Sequence, residues 1–218
     1  MEKGNFTNLD TSNVTSMYYM FKYAGESATT FELTGLNNWN TSKVTNMSYM
    51  FDSAGYNATS FNLDLSNWDT SSVTNMGAMF YSAGSSATTF ELTGLNGWNT
   101  SKVTNMSSMF YSAGYRATTW SIGNLSGWDT SSVTNMSSMF DSAGYRATTW
   151  SIGDLSNWNT SSVTNMITMF DSAGRSATTW SVKIPSKTGD LTNTTSKWYG
   201  SSESVYASPC SGKSFTLS

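Results

Sequence analysis

Apolar residues recur along this chain in one three-part pattern. The unit at residues 87–114 reads ATTFELTGLNGWNTSKVTNMSSMFYSAG. In its first part, Phe90 and Leu92 alternate with Thr89 and Glu91, the period of two that marks a half-buried strand. The equivalent pairs are Phe31/Leu33, Phe61/Leu63, Trp120/Ile122, Trp150/Ile152 and Trp180/Val182. The middle part, GWNTSKV, sets a Trp before an Asx-Thr-Ser run, and such side chains bond nearby backbone and favour turns. In the last part, Met106, Met109 and Phe110 stand at i, i+3 and i+4, which predicts one apolar face of a short helix. Asn105 suits its N-cap and Gly114 its left-handed C′ position.

The Met-Phe dipeptide sets the period. Its Phe falls at 21, 51, 80, 110, 140 and 170, at intervals of 30, 29, 30, 30 and 30. The short interval follows from ELTGLNNW at 32–39 becoming NLDLSNW at 62–68. A period of this length means stacked units, because one coil alone cannot bury its apolar face. The pattern predicts an α+β repeat solenoid over residues 1–182, with one short strand and one short helix per 29–30-residue coil and six strands stacked in a parallel sheet. The first coil is expected to be incomplete: Phe6 aligns with Leu36 and Leu9 with Trp39, but the preceding strand is expected to be missing. After Val182 the pattern stops, Pro185 breaks it, and residues 183–218 are expected to cap the last coil.

Residues 28–36 have the spacing Ala-x-x-Phe-x-Leu-x-x-Leu, which resembles a leucine-rich-repeat strand with its asparagine position replaced. WDTSSVTNMSSMF, residues 128–140, resembles the signature of BspA-like leucine-rich-repeat surface proteins, the family that includes mycoplasma lipoprotein-type repeats. The resemblance runs from Phe6 to about Val182, and the tail segment KWYGSSESVYASP at 197–209 is similar to that family's array ending. It implies a leucine-rich-repeat-like solenoid, borne by cell-surface or secreted proteins with roles in adhesion, and no enzyme activity. These coils are longer than is usual in the family, and Ala54, Ala83 and Ala113 stand where many members carry Cys.

Composition narrows the chemistry. The net charge is -3, which argues against a broad basic surface for nucleic acid. Histidine is absent, which removes the commonest general acid/base, and Cys210 is the sole cysteine, which rules out an internal disulfide. No apolar run approaches the roughly 20 residues of a membrane span. Residues 1–10 have no signal-peptide apolar region, so either the protein is not exported or these residues belong to a mature form or an expressed fragment, and the repeat register favours the second. Charged residues make up 11% of the chain, and the surface rich in Ser, Thr and Asn fits an extracellular or cell-surface setting.

Several patterns admit a chemical and a structural explanation. Twelve of the thirteen Met residues occupy the two repeat positions, which favours core packing over a soft-metal site. The Trp series at 39, 68, 98, 128 and 158 could be a glycan-stacking ridge but reads better as a buried ladder. The Asx series at 10, 40, 69, 99, 129 and 159 is half Asn, too poor in carboxylates for calcium, and reads as a hydrogen-bonding ladder. No cofactor, metal site, nucleophile–base pair or paired-carboxylate site is expected.

Two candidate ligand-binding sets remain. The outward strand positions include Thr30, Glu32, Asn62, Thr89, Glu91, Thr119 and Ser121, a stripe of the kind that solenoids use for extended binding. The loop after the Met-Phe segment varies most between coils, and Tyr115/Arg116 beside Tyr145/Arg146 bring together residue types enriched at interface hot spots. Asn46, Asn57, Asn105 and Asn193 head glycosylation sequons, relevant only on a eukaryotic secretory route. The expected function is a non-enzymatic secreted or cell-surface module for adhesion, holding a glycan, matrix or host protein. The alternative is a structural subunit that self-associates through the uncapped first coil into a filament or surface layer.

Overall fold

A computed structural model of the chain describes residues 2–188, 191–192 and 196–218. It corrects the expected α+β coil: the chain is a parallel β-solenoid with a strand but no α-helix in each turn. Seven strands mark the turns: β1 (Glu2–Asn5), β2 (Phe31–Thr34), β3 (Ser60–Asp64), β4 (Thr89–Thr93), β5 (Thr119–Ser121), β6 (Thr149–Asp154) and β7 (Thr179–Ile184). They pair in parallel as β1–β2, β3–β4–β5 and β6–β7, three sheets in place of one sheet of six strands. Backbone bonds bridge the breaks, from Thr59 N–H to the Thr29 carbonyl at 3.0 Å at the first, and from Thr148 N–H to the Thr118 carbonyl at 3.1 Å and Leu125 N–H to the Ile152 carbonyl at 2.9 Å at the second.

The alternation of Phe90 and Leu92 with Thr89 and Glu91 does form a strand, buried on the Phe/Leu side. The first coil also has one. β1 pairs with β2 in the register Lys3↔Glu32 and Gly4↔Leu33, although Glu2–Asn5 carries no apolar alternation to announce it. Short 3-10 turns occur at Leu36–Asn38 and Leu95–Gly97, each after a left-handed glycine, Gly35 or Gly94.

The expected helix is replaced by a ribbon. The N–H groups of Met106, Ser108, Phe110 and Ser112 donate to the carbonyls of Asn135, Ser137, Met139 and Asp141 in the next coil, at 2.8–2.9 Å. The intervening Met109, Tyr111 and Ala113 donate three residues back, at 3.0–3.3 Å. Ser108 and Ser112 take positive φ values of 54° and 52° to make this alternation possible. Equivalent Phe rings, Phe80–Phe110 and Phe110–Phe140, stack at 5.5 and 5.4 Å. A helix is about 10–12 Å across with its side chains, so helices cannot follow one another at that rise unless the array fans open. The i, i+3, i+4 spacing survives because the ribbon also turns Met106, Met109 and Phe110 inward, each fully buried. Gly114 is left-handed as expected, with φ 56°, but within the ribbon. Asn105 caps no helix: its Oδ1 accepts the Ser107 N–H at 3.0 Å and its Nδ2 donates to Asn75 Oδ1 at 3.1 Å.

The core is a set of ladders. Trp39, Trp68, Trp98, Trp128 and Trp158 are buried and stack nearly parallel at 6.1–6.2 Å. Each indole N–H donates to a carbonyl of the preceding coil, as in Trp68 to Leu36 at 2.8 Å. The hydroxyls of Thr41, Thr70, Thr100 and Thr130 donate to the next coil's Asx carbonyl at 2.9–3.0 Å. The Asx side chains themselves turn back on their own coil, as in Asp69 Oδ1 accepting the Ser71 N–H at 3.0 Å.

Past β7 come β8 (Lys187–Thr188) paired antiparallel with β9 (Leu191–Thr192), then β10 (Trp198–Tyr199) paired antiparallel with β11 (Tyr206–Ala207), and β12 (Thr216–Leu217). The tail lies over the last coil. Trp198 is buried 6.0 Å from Trp158, Phe215 lies 5.4 Å from Phe170, and β12 adds to β7 in parallel.

Candidate binding surfaces

The strand stripe lies where its alternation puts it. Thr30, Glu32, Asn62, Glu91, Thr119 and Ser121 are exposed, and Thr89 is half-buried. Register aligns Thr89 with Thr119, and Asn62 with Glu91 and Ser121. Glu32, Asn62 and Glu91 come together with Asp64 around a shallow depression of about 450 Å³. Bonds from Ser66, with smaller contributions from Thr93 and Asn37, hold the Asp64 carboxyl below its usual range. Glu32 pairs with Lys3 of the first coil at 2.5 Å. The column beside the stripe is spoken for: Thr59, Thr88, Thr118, Thr148 and Thr178 turn their hydroxyls onto threonine carbonyls of the preceding coil at 3.0–3.4 Å.

The second predicted set is also assembled. The Tyr115 and Tyr145 rings stack at 4.7 Å and 20°, with Arg116 and Arg146 exposed beside them. Backbone bonds from Arg116 N–H to the Ser85 carbonyl, 2.9 Å, and from Arg146 N–H to the Tyr115 carbonyl, 3.2 Å, fix these loops to the array. The acidic depression belongs to coils two to four, whereas the tyrosine–arginine pair lies on later coils.

Of the sequon asparagines, Asn57 is exposed, while Asn46 and Asn105 are half-buried in the parallel bridge ladder Asn46↔Asn75↔Asn105↔Asn135. Asn193 lies outside the described residues. Among the described residues, no three His, Cys, Asp or Glu side chains gather in a way that could hold a metal ion, and no helix is long and apolar enough to cross a membrane.

One aromatic cluster escaped the sequence reading. Tyr18, Tyr19, Tyr23 and Tyr49 are exposed on the ribbon of the first two coils, where later coils place mostly small residues. The Lys22 ammonium lies 4.3 Å from the Tyr19 ring centroid and 4.8 Å from that of Tyr23, and pairs with Asp52 at 3.0 Å. The signal was present as a departure from the repeat. Leu9 and Met20 are exposed at the same end, where no coil of this chain covers them.

The geometry defines a class: a parallel β-solenoid repeat protein with ladders inside and coil-specific residues outside. The chain belongs to the family described as "Mycoplasma protein of unknown function, DUF285", which it matches over residues 1–114 and 83–198. No curated protein and no solved structure matches it.

Proposed function

We propose that this chain is a non-enzymatic, extracellular or cell-surface adhesion module of the BspA-like kind, holding a protein or glycan ligand against Tyr115, Arg116, Tyr145 and Arg146. One observation carries the reading. The stacked tyrosines stand at a position that Tyr56 also holds but where the remaining coils have Glu26, Ser85 and Arg175, so the fold does not require an aromatic there. Rigid amphipathic rings flanked by guanidinium groups are well suited to contacting a partner at low entropic cost. End-to-end assembly has less support, because Trp198, Phe215 and β12 occupy the C-terminal end on which a neighbour's first coil would stack.

The test is a screen of the labelled chain against arrayed glycans and matrix proteins. Any ligand captured by the wild type should be lost by the double variant Tyr115→Ala/Tyr145→Ala. Capture that survives the double substitution rejects this surface, and a light-scattering mass that grows with concentration supports assembly instead.

A further inference from the structure

The tail leaves the path of a coil. It passes beneath Thr160–Val163, where Thr160 Oγ1 donates to the Tyr199 carbonyl at 2.7 Å and Ser201 N–H to the Val163 carbonyl at 2.8 Å. It rejoins the ribbon at Cys210, whose sulfur faces the Ser172 N–H. Between these points the ribbon edge is left without a neighbour. In each of the five preceding coils, three N–H groups of this edge donate to carbonyls of alternate residues in the next coil, as Met136 to Asn165, Ser138 to Ile167 and Phe140 to Met169 at 2.8–2.9 Å. Their equivalents in the last coil, the N–H groups of Met166, Thr168 and Phe170, have no hydrogen-bond partner among the described residues. Met166 and Thr168 border a groove of about 540 Å³ walled on its far side by Ser204, Val205, Tyr206 and Pro209, whereas Phe170 is sealed beneath it.

We propose that this groove binds an extended, uncharged polypeptide segment, which adds to the ribbon edge by giving alternate carbonyls to the Met166 and Thr168 N–H groups. The occupant is argued from the array itself. The donors equivalent to these two are filled five times over by one chain segment running parallel to the edge, and a strand added to an open edge gains its affinity from such main-chain bonds. A small anion fits less well, because the Asp171 carboxylate also lines the groove. Ile167 adds a second, independent indication. It is 66% exposed at the groove, at a position where the two preceding coils carry Ser107 and Ser137. An apolar side chain that the fold does not require is placed where it can cover a bound segment.

The experiment follows backbone amide resonances of the ¹⁵N-labelled chain while an acetylated, amidated peptide of alternating valine and serine is added. The expected result is saturable shifts centred on Met166 and Thr168. The variant Ile167→Ser restores the residue of the preceding coils and so keeps the fold; it should weaken binding about tenfold, the effect of losing one buried aliphatic side chain. Absence of shifts at those amides, or equal affinity in the variant, overturns the proposal. Shifts of the same amides by inorganic phosphate but not by peptide overturn it in favour of an anion. Concentration-dependent shifts without peptide overturn it in favour of a second copy of this chain.

Discussion

The indoles of Trp128 and Trp158 lie 6.2 Å apart and 1° from parallel, each donating its N–H to a leucine carbonyl of the preceding coil. Trp198 continues the stack but is tilted 40° to Trp158, and its buried N–H finds no partner among the described residues. Trp128→Phe removes the 2.7 Å bond to the Leu95 carbonyl, which keeps the Trp98 N–H at 3.2 Å and is not orphaned. Trp198→Phe removes no such bond. Urea unfolding should therefore show Trp128→Phe less stable than Trp198→Phe by about 1 kcal/mol, the net worth of one hydrogen bond. Equal losses would mean that the indole bonds contribute nothing.

The ribbon predicts two substitutions of opposite sign. Ser108 sits at φ 54° with a side chain, and the left-handed region costs an L-residue about 1–2 kcal/mol. Ser108→Gly relieves this, less the entropy that glycine loses on folding, for a gain of up to about 1 kcal/mol. At Gly114, φ 56°, an added Cβ would lie 2.6 Å from Phe90 Cβ. Gly114→Ala meets both the strain and the clash and should lose more than about 2 kcal/mol. Thermal unfolding of the two variants reads the signs directly.

Two aspartates should respond to pH in opposite directions. The Lys183 ammonium at 2.8 Å and bonds from Ser156 lower Asp154 to about 2. Its folded pKa lies below the unfolded value of roughly 3.9, so its stabilisation is present above pH ~4 and is lost as pH falls toward 2. The pair is partly exposed, and Asp154→Asn should cost under about 1 kcal/mol at pH 7. Burial pushes Asp141 up, reinforced by the neighbouring Asp171 against the bond from Ser142. Its ionised form opposes folding, so Asp141→Asn should stabilise at pH 7 and lose that advantage once acid protonates the wild-type carboxyl. Urea midpoints of both variants at pH 7, 4 and 2 check the signs.

The Cys210 thiol is buried and burial raises its pKa, so it should resist alkylation in the native chain. Phe215→Ala removes the contacts at 5.4 Å to Phe170 and 5.9 Å to Trp180 that hold the end of the tail. Labelling should then accelerate in the variant well below the urea midpoint. Equal rates would show that the tail is held without Phe215.

The sequence by itself determined the period, the positions of β2 to β7 and the buried columns, because each of these is a set of like residues repeated from coil to coil. It also placed the exposed threonine and glutamate stripe and the Tyr115/Tyr145 pair. It could not decide between helix and ribbon. Both turn Met106, Met109 and Phe110 to one side, and they differ in where the N–H groups go, which apolar spacing does not record. The close coil rise, set by stacked Phe rings, settles that choice by sending alternate N–H groups to the next coil. β1 was hidden because Lys3 and Gly4 pair with β2 through backbone alone. The groove beneath Ile167 was hidden for a related reason: it exists only where the tail departs from the path of a coil, leaving three donors that no local pattern marks.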